Sequence, residues 1–361
     1  MAMDRRPIAV KNGPGHCMMN LLVTGGAGFI GSNLIEHIID RPGIGRLVNL
    51  DCLTYAGHAA NLRAISGHPR YVFEAVDLRD RALVDRVVAV HGITHVLHLA
   101  SESHVDRSIR GPENFITTNI VGTFNLLESC RTAWTGTSGA RRFHLVSTDE
   151  VYGSLGPTGY FTEETPYAPN SPYSATKASA NLIARAYHHT YGFPVVTTNC
   201  SNNYGPRQLP EKLIPVVIQS LLSRQPIPVY GDGLHVRDWL FVRDHCEALW
   251  QVLTRGRDGE VYNIGGHNER ANLRLVEELC DRIDELRPDL GGNSRRLVTF
   301  VADRPGHDRR YAIDAGKIER ELGWRPAYTF ERGIRETLQW YLDHASWMDE
   351  VRAEMVSRSG P

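Results

Sequence analysis

No C-x-x-C pair occurs in the chain. Its six cysteines, Cys17, Cys52, Cys130, Cys200, Cys246 and Cys280, are scattered. That spacing excludes a zinc ribbon or a disulfide framework, and the thiols are expected to be buried and reduced. No apolar run reaches the roughly 18–20 residues of a membrane span. Basic and acidic residues nearly balance, 40 against 41, for a net charge of −1, and no long like-charge block occurs. General attraction to nucleic acid or to an anionic membrane is therefore not expected. The first 17 residues lack an apolar h-region and read as an N-terminal extension, not a signal peptide. Met18 and Met19 are alternative candidate starts. A cytoplasmic protein is expected.

What is present is ordinary globular material: 361 residues, 42% hydrophobic and 22% charged. That is enough for a core and two lobes. Short apolar runs recur at 20–23, 46–50, 71–75, 95–99, 143–146 and 195–199, with helix-like stretches between them. Strand–helix alternation predicts an α/β fold, a doubly wound parallel sheet with helices on both faces. After about residue 205 prolines cluster and the rhythm breaks. The first domain is therefore expected over 18–205, with a return to the sheet at about 234–264 through "RDWLFVRDHCEALWQVL". A smaller interleaved α/β lobe is expected over 206–233 and 265–345, and a C-terminal tail over 346–361.

"LLVTGGAGFIG" places Gly25, Gly28 and Gly31 after the first strand and at the start of a helix. Such glycines permit a tight turn and close backbone approach to a pyrophosphate at a helix N-terminus. Asp51 ends the second strand about 20 residues on, where an acid binds a ribose 2′-hydroxyl and repels a 2′-phosphate. NAD is thus favoured over NADP. Asp77, ending the third strand, fits two roles, adenine contact or helix N-cap.

Tyr173 and Lys177 in "SPYSATKAS" lie four apart on a predicted helix and share a face. An ammonium beside a phenol favours the phenolate and makes it a base. Thr148, Asp149 and Glu150 follow the buried run "FHLV". Two adjacent acids at a strand end are costly unless solvated, paired or used. An elimination uses such a pair, one group to remove a proton beside a carbonyl and one to protonate the departing hydroxyl.

In "TGGAGFIG", Asp51, Asp77, "STDEVYG" and "YSATK" the chain resembles the extended short-chain dehydrogenase/reductase family, whose fold is Rossmann-like. From about Asn20 to Leu342 it is similar, within that family, to the dTDP-glucose 4,6-dehydratases. "LASESHVDRS", "TNIVGTFNLLE", "TNCSNNYGP", "RDWLFVRDH" and "VADRPGHDRRYAID" carry this narrower likeness. It implies a hydro-lyase with tightly held NAD. Tyr173, assisted by Thr148 and Lys177, takes the 4-hydroxyl proton as hydride leaves carbon 4. Glu150 then removes the proton on carbon 5 while Asp149 protonates the 6-hydroxyl. Hydride then returns to carbon 6 and carbon 5 is reprotonated, giving dTDP-4-dehydro-6-deoxyglucose for deoxysugar biosynthesis.

The resemblance implies further contacts. Phe29 and Ile30 fall in the cofactor loop, Asp51, Cys52, Leu53 and Thr54 at the adenosine ribose, and Asp77 and Leu78 beside the adenine. Leu99, Ala100, Ser101 and Glu102 line the nicotinamide side, with Thr118 and Asn203 also on the cofactor. Ser103, Thr148 and Asn202 meet the sugar or phosphate. Lys212, Leu213, Pro228, Val229 and Tyr230 form the nucleoside pocket, and Arg237 and Asn272 hold the diphosphate. Asp303, Arg304, Pro305, Gly306 and His307 make the far wall. Arg237 suits a diphosphate through its bidentate fork, with an ion pair to Asp238 as the alternative. Relatives often carry Lys and Ala where this chain has Cys52 and Ser101. His98, His104, His188 and His189 form no metal-ligand pattern, and no metal is expected. Apolar residues on more than one face of 114–134 and 173–191, among them Ile116, Ile120, Phe124, Leu127, Leu182, Ile183 and Tyr187, fit a homodimer. A nucleotide-sugar epimerase or decarboxylase on the same fold, and a non-catalytic NAD sensor, are the alternatives. Thymine and uracil nucleotides are not distinguished by these motifs.

Overall fold

The structure is a computed structural model, and residues 18–359 are described. The extension over 1–17 and its Cys17 lie outside them. Twelve strands follow in chain order. The first six are β1 (Met19–Thr24), β2 (Ile44–Leu50), β3 (Tyr71–Glu74), β4 (His95–His98), β5 (Arg142–Thr148) and β6 (Val195–Cys200). The others are β7 (Asn202–Tyr204), β8 (Ile227–Tyr230), β9 (Val236–Phe241), β10 (Val261–Ile264), β11 (Glu269–Ala271) and β12 (Val298–Val301).

Seven strands form one parallel sheet in the order β10-β6-β5-β4-β1-β2-β3. The central strands are buried on both faces; Leu21, Leu22 and Val23 are fully buried. This is why they read as unbroken apolar runs and do not alternate. The strand order reverses between β1 and β4, and the crevice beyond the carboxyl ends there is the place where such sheets bind ligands. The doubly wound α/β fold expected from the chain is the one observed.

The stretch "RDWLFVRDHCEALWQVL" differs from expectation. Its strand, β9, pairs with β7 and β11 in a separate three-stranded sheet. Its helix, Val242–Arg255, buries Val242, Cys246, Leu249 and Val252 in the core under the main sheet, and β10 takes the edge beside β6. A second core gathers Tyr204, Ile214, Ile218, Leu275, Leu279, Phe330 and Leu338 around the two-stranded β12-β8 sheet. The expected C-terminal tail is also different: Ala345–Ser359 is a helix that buries Trp347, Met348 and Val351 in this second core. Their 347, 348, 351 spacing puts them on one helical face.

Cys130, Cys200, Cys246 and Cys280 are buried and free, whereas Cys52 is exposed, against the expectation of a buried thiol. It sits in the loop just beyond β2, outside the sheet that buries the strand itself. Among the described residues no helix is long and apolar enough to cross a membrane.

Candidate active site

A cleft of about 690 Å³ opens at the carboxyl ends of the main-sheet strands. At its floor, β1 ends in the glycine turn. Gly25 has φ +72°, and a Cβ there would sit 2.7 Å from the Ala100 backbone, so only glycine lets the β1 and β4 loops approach. The helix Phe29–Ile38 then starts with no side-chain cap, leaving N–H groups turned to the cleft. Asp51 receives the Ala27 N–H at 2.9 Å and the Leu53 N–H at 2.8 Å. The carboxylate is thereby fixed at the rim where a ribose hydroxyl would reach it. An uncapped helix end, a side-chain-free turn and a fixed acid fit a dinucleotide.

The cleft brings together Phe29, Ile30, Gly31, Cys52, Leu53, Thr54, Asp77 and Leu78 at one end. Leu99, Ala100, Ser101, Glu102, Thr118 and Asn203 line its middle, with Ser103, Asn202 and Lys212 beyond. Asp77 does not cap a helix. It accepts the Arg79 N–H and pairs with the Arg79 guanidinium, which lowers its pKa, while Asp80 caps Arg81–Val90.

The helix Pro172–Tyr191 begins with a capping box at Ser171 and Ser174, and with proline at its first position. These fix its start so that Tyr173 faces the cleft in the first turn and Lys177 one turn later. Thr148 ends β5 beside them, and its hydroxyl accepts the Glu150 N–H at 3.3 Å. Burial, then Glu150, Cys200 and Asp149, hold the Tyr173 phenol well above its ordinary pKa, partly countered by a hydrogen bond with Thr148. This departs from the expected lowering by Lys177. The lysine donates 2.8 Å to the Val146 carbonyl, and burial brings its own pKa down to about 8.

The two acids occupy different surroundings. Asp149 is 1% exposed and its Oδ2 has no partner among the described residues. Burial first, then Glu150 and Asp238, raise its pKa well above the carboxylate range. Glu150 lines the cleft; burial raises it too, but Arg304, Arg237 and Lys212 oppose that rise. Asp149 is therefore the better proton holder and Glu150 the better anion.

The remaining expected residues lie beyond the cleft lining. Arg237 is buried with its guanidinium 4.3 Å over the Tyr311 ring, donating to the Val236 and Asp308 carbonyls. It makes no bond to Asp238, whose carboxylate takes the Gly266 and Asn268 N–H groups. The ion-pair alternative is thus overturned, since backbone amides satisfy that acid. Strand alternation turns Val229 into the second core while Pro228 and Tyr230 face out. Leu213 packs on the same core, so neither it nor Val229 presents its side chain to the cleft. Asn272 donates its backbone N–H to the His235 carbonyl. Asp303, Pro305 and Gly306 are exposed, and Arg304 lies 3.6 Å from Asp106.

Asn119, Tyr55 and the gathering of His235 with Asp303 and His307 were not read from the sequence. Asn119 accepts the Glu102 N–H and donates to the Glu102 carbonyl and to Thr176, tying the nicotinamide-side loop to the helix Pro172–Tyr191. Its signal is an amide between Thr118 and Ile120 in "ITTNIVG", a π-helical segment. Tyr55 lines the cleft under the Arg107 guanidinium, 4.0 Å away. His235, Asp303 and His307 gather within 4.8 Å. The imidazoles stack at 3.7 Å and 13°, and both pair with Asp303, so their lone pairs run side by side instead of converging on an ion. His98 is structural, bonded to Thr24 and Thr123.

Residues 22–337 match the family model described as GDP-mannose 4,6 dehydratase. A dTDP-glucose 4,6-dehydratase of Neisseria meningitidis is 56% identical over 342 residues, covering 92% of this chain and 96% of its own. The chain belongs to the dTDP-glucose 4,6-dehydratase family. The dehydratase DesIV of Streptomyces venezuelae, solved with NAD and dTDP bound, superposes with a TM-score of 0.85 at 46% identity, covering 92% of this chain and all of that one. A UDP-glucose 4-epimerase of Thermus thermophilus, in complex with NAD, is 30% identical with a TM-score of 0.79, covering 90% of this chain and 100% of that one. This family's chains thus share a fold with sugar-nucleotide enzymes of other outcome, and the side chains of the cleft separate them.

Proposed function

We propose that the protein is a dTDP-glucose 4,6-dehydratase that keeps NAD bound through each turnover. The observation that carries the proposal is the Asp149–Glu150 pair at the end of β5, one acid buried and without an ion-pair partner among the described residues, the other facing the cleft under the opposing pull of Arg304, Arg237 and Lys212. Oxidation at a sugar carbon alone needs neither. NAD, held on the glycine turn and Asp51, supplies the hydride acceptor and donor. Tyr173 takes the 4-hydroxyl proton in its phenolate form, which the positive charges of Lys177 and of bound NAD would favour against burial, with the Thr148 hydroxyl orienting that oxygen. The 4-keto group acidifies the proton on carbon 5, which the Glu150 carboxylate removes. Asp149 delivers its proton to the 6-hydroxyl, and water leaves. Lys212, Arg304 and Arg237 supply the positive charge that suits a diphosphate.

The exposed apolar side chains Ile116, Val121, Phe124, Leu182 and Tyr191 lie on neighbouring helices and support a homodimer through this face. Leu127 and Tyr187 point inward on the same helices. Free, unpaired thiols support a reducing cytoplasm, and the product suits deoxysugar biosynthesis.

Incubation with dTDP-glucose and, separately, UDP-glucose tests the assignment. A product lighter by one water from dTDP-glucose, without consumption of NAD, is expected. An epimerised product, or silence on both sugars with NAD added, refutes it.

A further inference from the structure

We propose that the C-terminal helix Ala345–Ser359 is a clasp that retains the cofactor by fixing the glycine turn through Asn61 and His58; this rests on the NAD assignment above. Ala27, between Gly25 and Gly28, is held from two sides. Its N–H goes to Asp51, while its carbonyl accepts both the Asn61 side-chain amide at 2.8 Å and the His58 N–H at 3.0 Å. Both donors are in turn held by the far end of the chain. The Trp347 indole N–H donates 2.8 Å to the Asn61 carbonyl oxygen, across 286 residues. The His58 ring Nδ1 bonds Glu354 at 2.8 Å, across 296 residues.

These contacts are not incidental surface pairs. Asn61 is 4% exposed, His58 is 0% and Trp347 is 7%. Arg63 and Glu350 add an ion pair at the outer edge. An amide whose oxygen and nitrogen are both engaged has one orientation, so Trp347 decides which group Asn61 presents to Ala27. Without that donor the buried Asn61 oxygen is orphaned, and the amide is free to turn its nitrogen away from the turn. Neither Asn61 nor His58 lines the cleft. They are positioning residues, and their effect belongs on cofactor residence and not on the sugar.

The test uses the full chain loaded with NAD, and Trp347→Phe, Glu354→Ala and Glu354→Gln variants. Phenylalanine keeps an aromatic ring but removes the donor together with part of the indole's packing in the second core, so its result is read beside the Glu354 pair. Glutamine keeps an acceptor for His58. NAD release is timed after dilution, with the KM for dTDP-glucose measured at saturating NAD. Release about tenfold faster is expected for Trp347→Phe and for Glu354→Ala, the effect of one lost buried hydrogen bond. Glu354→Gln is expected near wild type, and the sugar KM unchanged. Activity lost on dilution should return with added NAD. Wild-type release rates in both folded variants, or an equal rise in the sugar KM, overturn the clasp. A wild-type chain that neither carries nor takes up NAD overturns the assignment it rests on. Should Trp347→Phe fail to fold, the Glu354 pair decides alone.

Discussion

Asp149→Asn removes a proton donor while keeping its shape. The side chain is 1% exposed, its Oδ2 has no partner among the described residues, and Thr148 is its one neighbouring hydroxyl donor at 3.4 Å. An amide therefore enters the site without losing a strong hydrogen bond. A positioned general acid contributes roughly 10²–10⁴-fold, so kcat should fall by that factor, about 3–5 kcal/mol of barrier. The loss should fall on one step. In a single turnover of NAD-loaded protein, reduced-nicotinamide absorbance should build up because oxidation at carbon 4 is intact and water cannot leave. Tyr173→Phe should build up none. Stability supplies a second readout. The folded pKa of Asp149 lies above its unfolded value, so the folded state holds a proton that the unfolded state releases. That costs stability as pH rises above about 4, up to the folded pKa. Asp149→Asn should then melt higher than wild type at neutral pH, with the gap closing in acid. Dehydration at the wild-type rate, or loss of the oxidation step together with water loss, refutes the role.

Lys177→Met tests the buried ammonium. Its pKa is lowered to about 8, so wild type carries a stability cost below pH 8 that fades as pH rises toward the unfolded value of 10.5. The methionine variant should be more stable by about 2 kcal/mol at pH 7 after allowing for the orphaned Val146 carbonyl, and less stable by about 1 kcal/mol above pH 10.5, where only that lost hydrogen bond remains, by denaturant titration. Gly25→Ala should cost about 1–3 kcal/mol from its left-handed φ and its clash with Ala100, and should weaken NAD binding in fluorescence titration. Phe124→Glu with Leu182→Glu should yield monomers in sedimentation if this exposed face is the dimer contact.

The chain announces its sheet because strands buried on both faces are rich in consecutive apolar or β-branched residues, as in Leu21, Leu22 and Val23 of β1, Leu145 and Val146 of β5, and Val195 to Thr198 of β6. It announces the glycine turn and Asp51 for the same reason: few residues can occupy those positions at all. Side chains whose direction depends on a distant partner are harder to read. The i, i+4 spacing puts Tyr173 and Lys177 on one face, but only the fold shows the Val146 carbonyl that captures the ammonium. Likewise "HVRDWL" reads as a sheet strand whichever sheet receives it; β7, three residues long, decides the matter by offering an edge. The C-terminal helix lay in a segment of mixed polarity, and its apolar face becomes meaningful only where the second core leaves a place for Trp347.

The resting proton inventory explains why two acids can sit side by side at a sheet end. Burial favours the neutral forms of the Tyr173 phenol and of Asp149, and the Lys177 ammonium donates to a carbonyl. Glu150 is the anion of the pair, and Arg304, Arg237 and Lys212 surround it. Arg304 and Lys212 also face Asp106 and Glu211, so the positive surplus at the sugar end of the cleft is what those acids leave. A diphosphate would draw on that surplus, and the cations would then oppose the rise in the Glu150 pKa less strongly. Binding would thus move Glu150 toward a stronger base just where the carbon 5 proton is to be removed, while Asp149, buried behind it, keeps the proton that the departing hydroxyl requires.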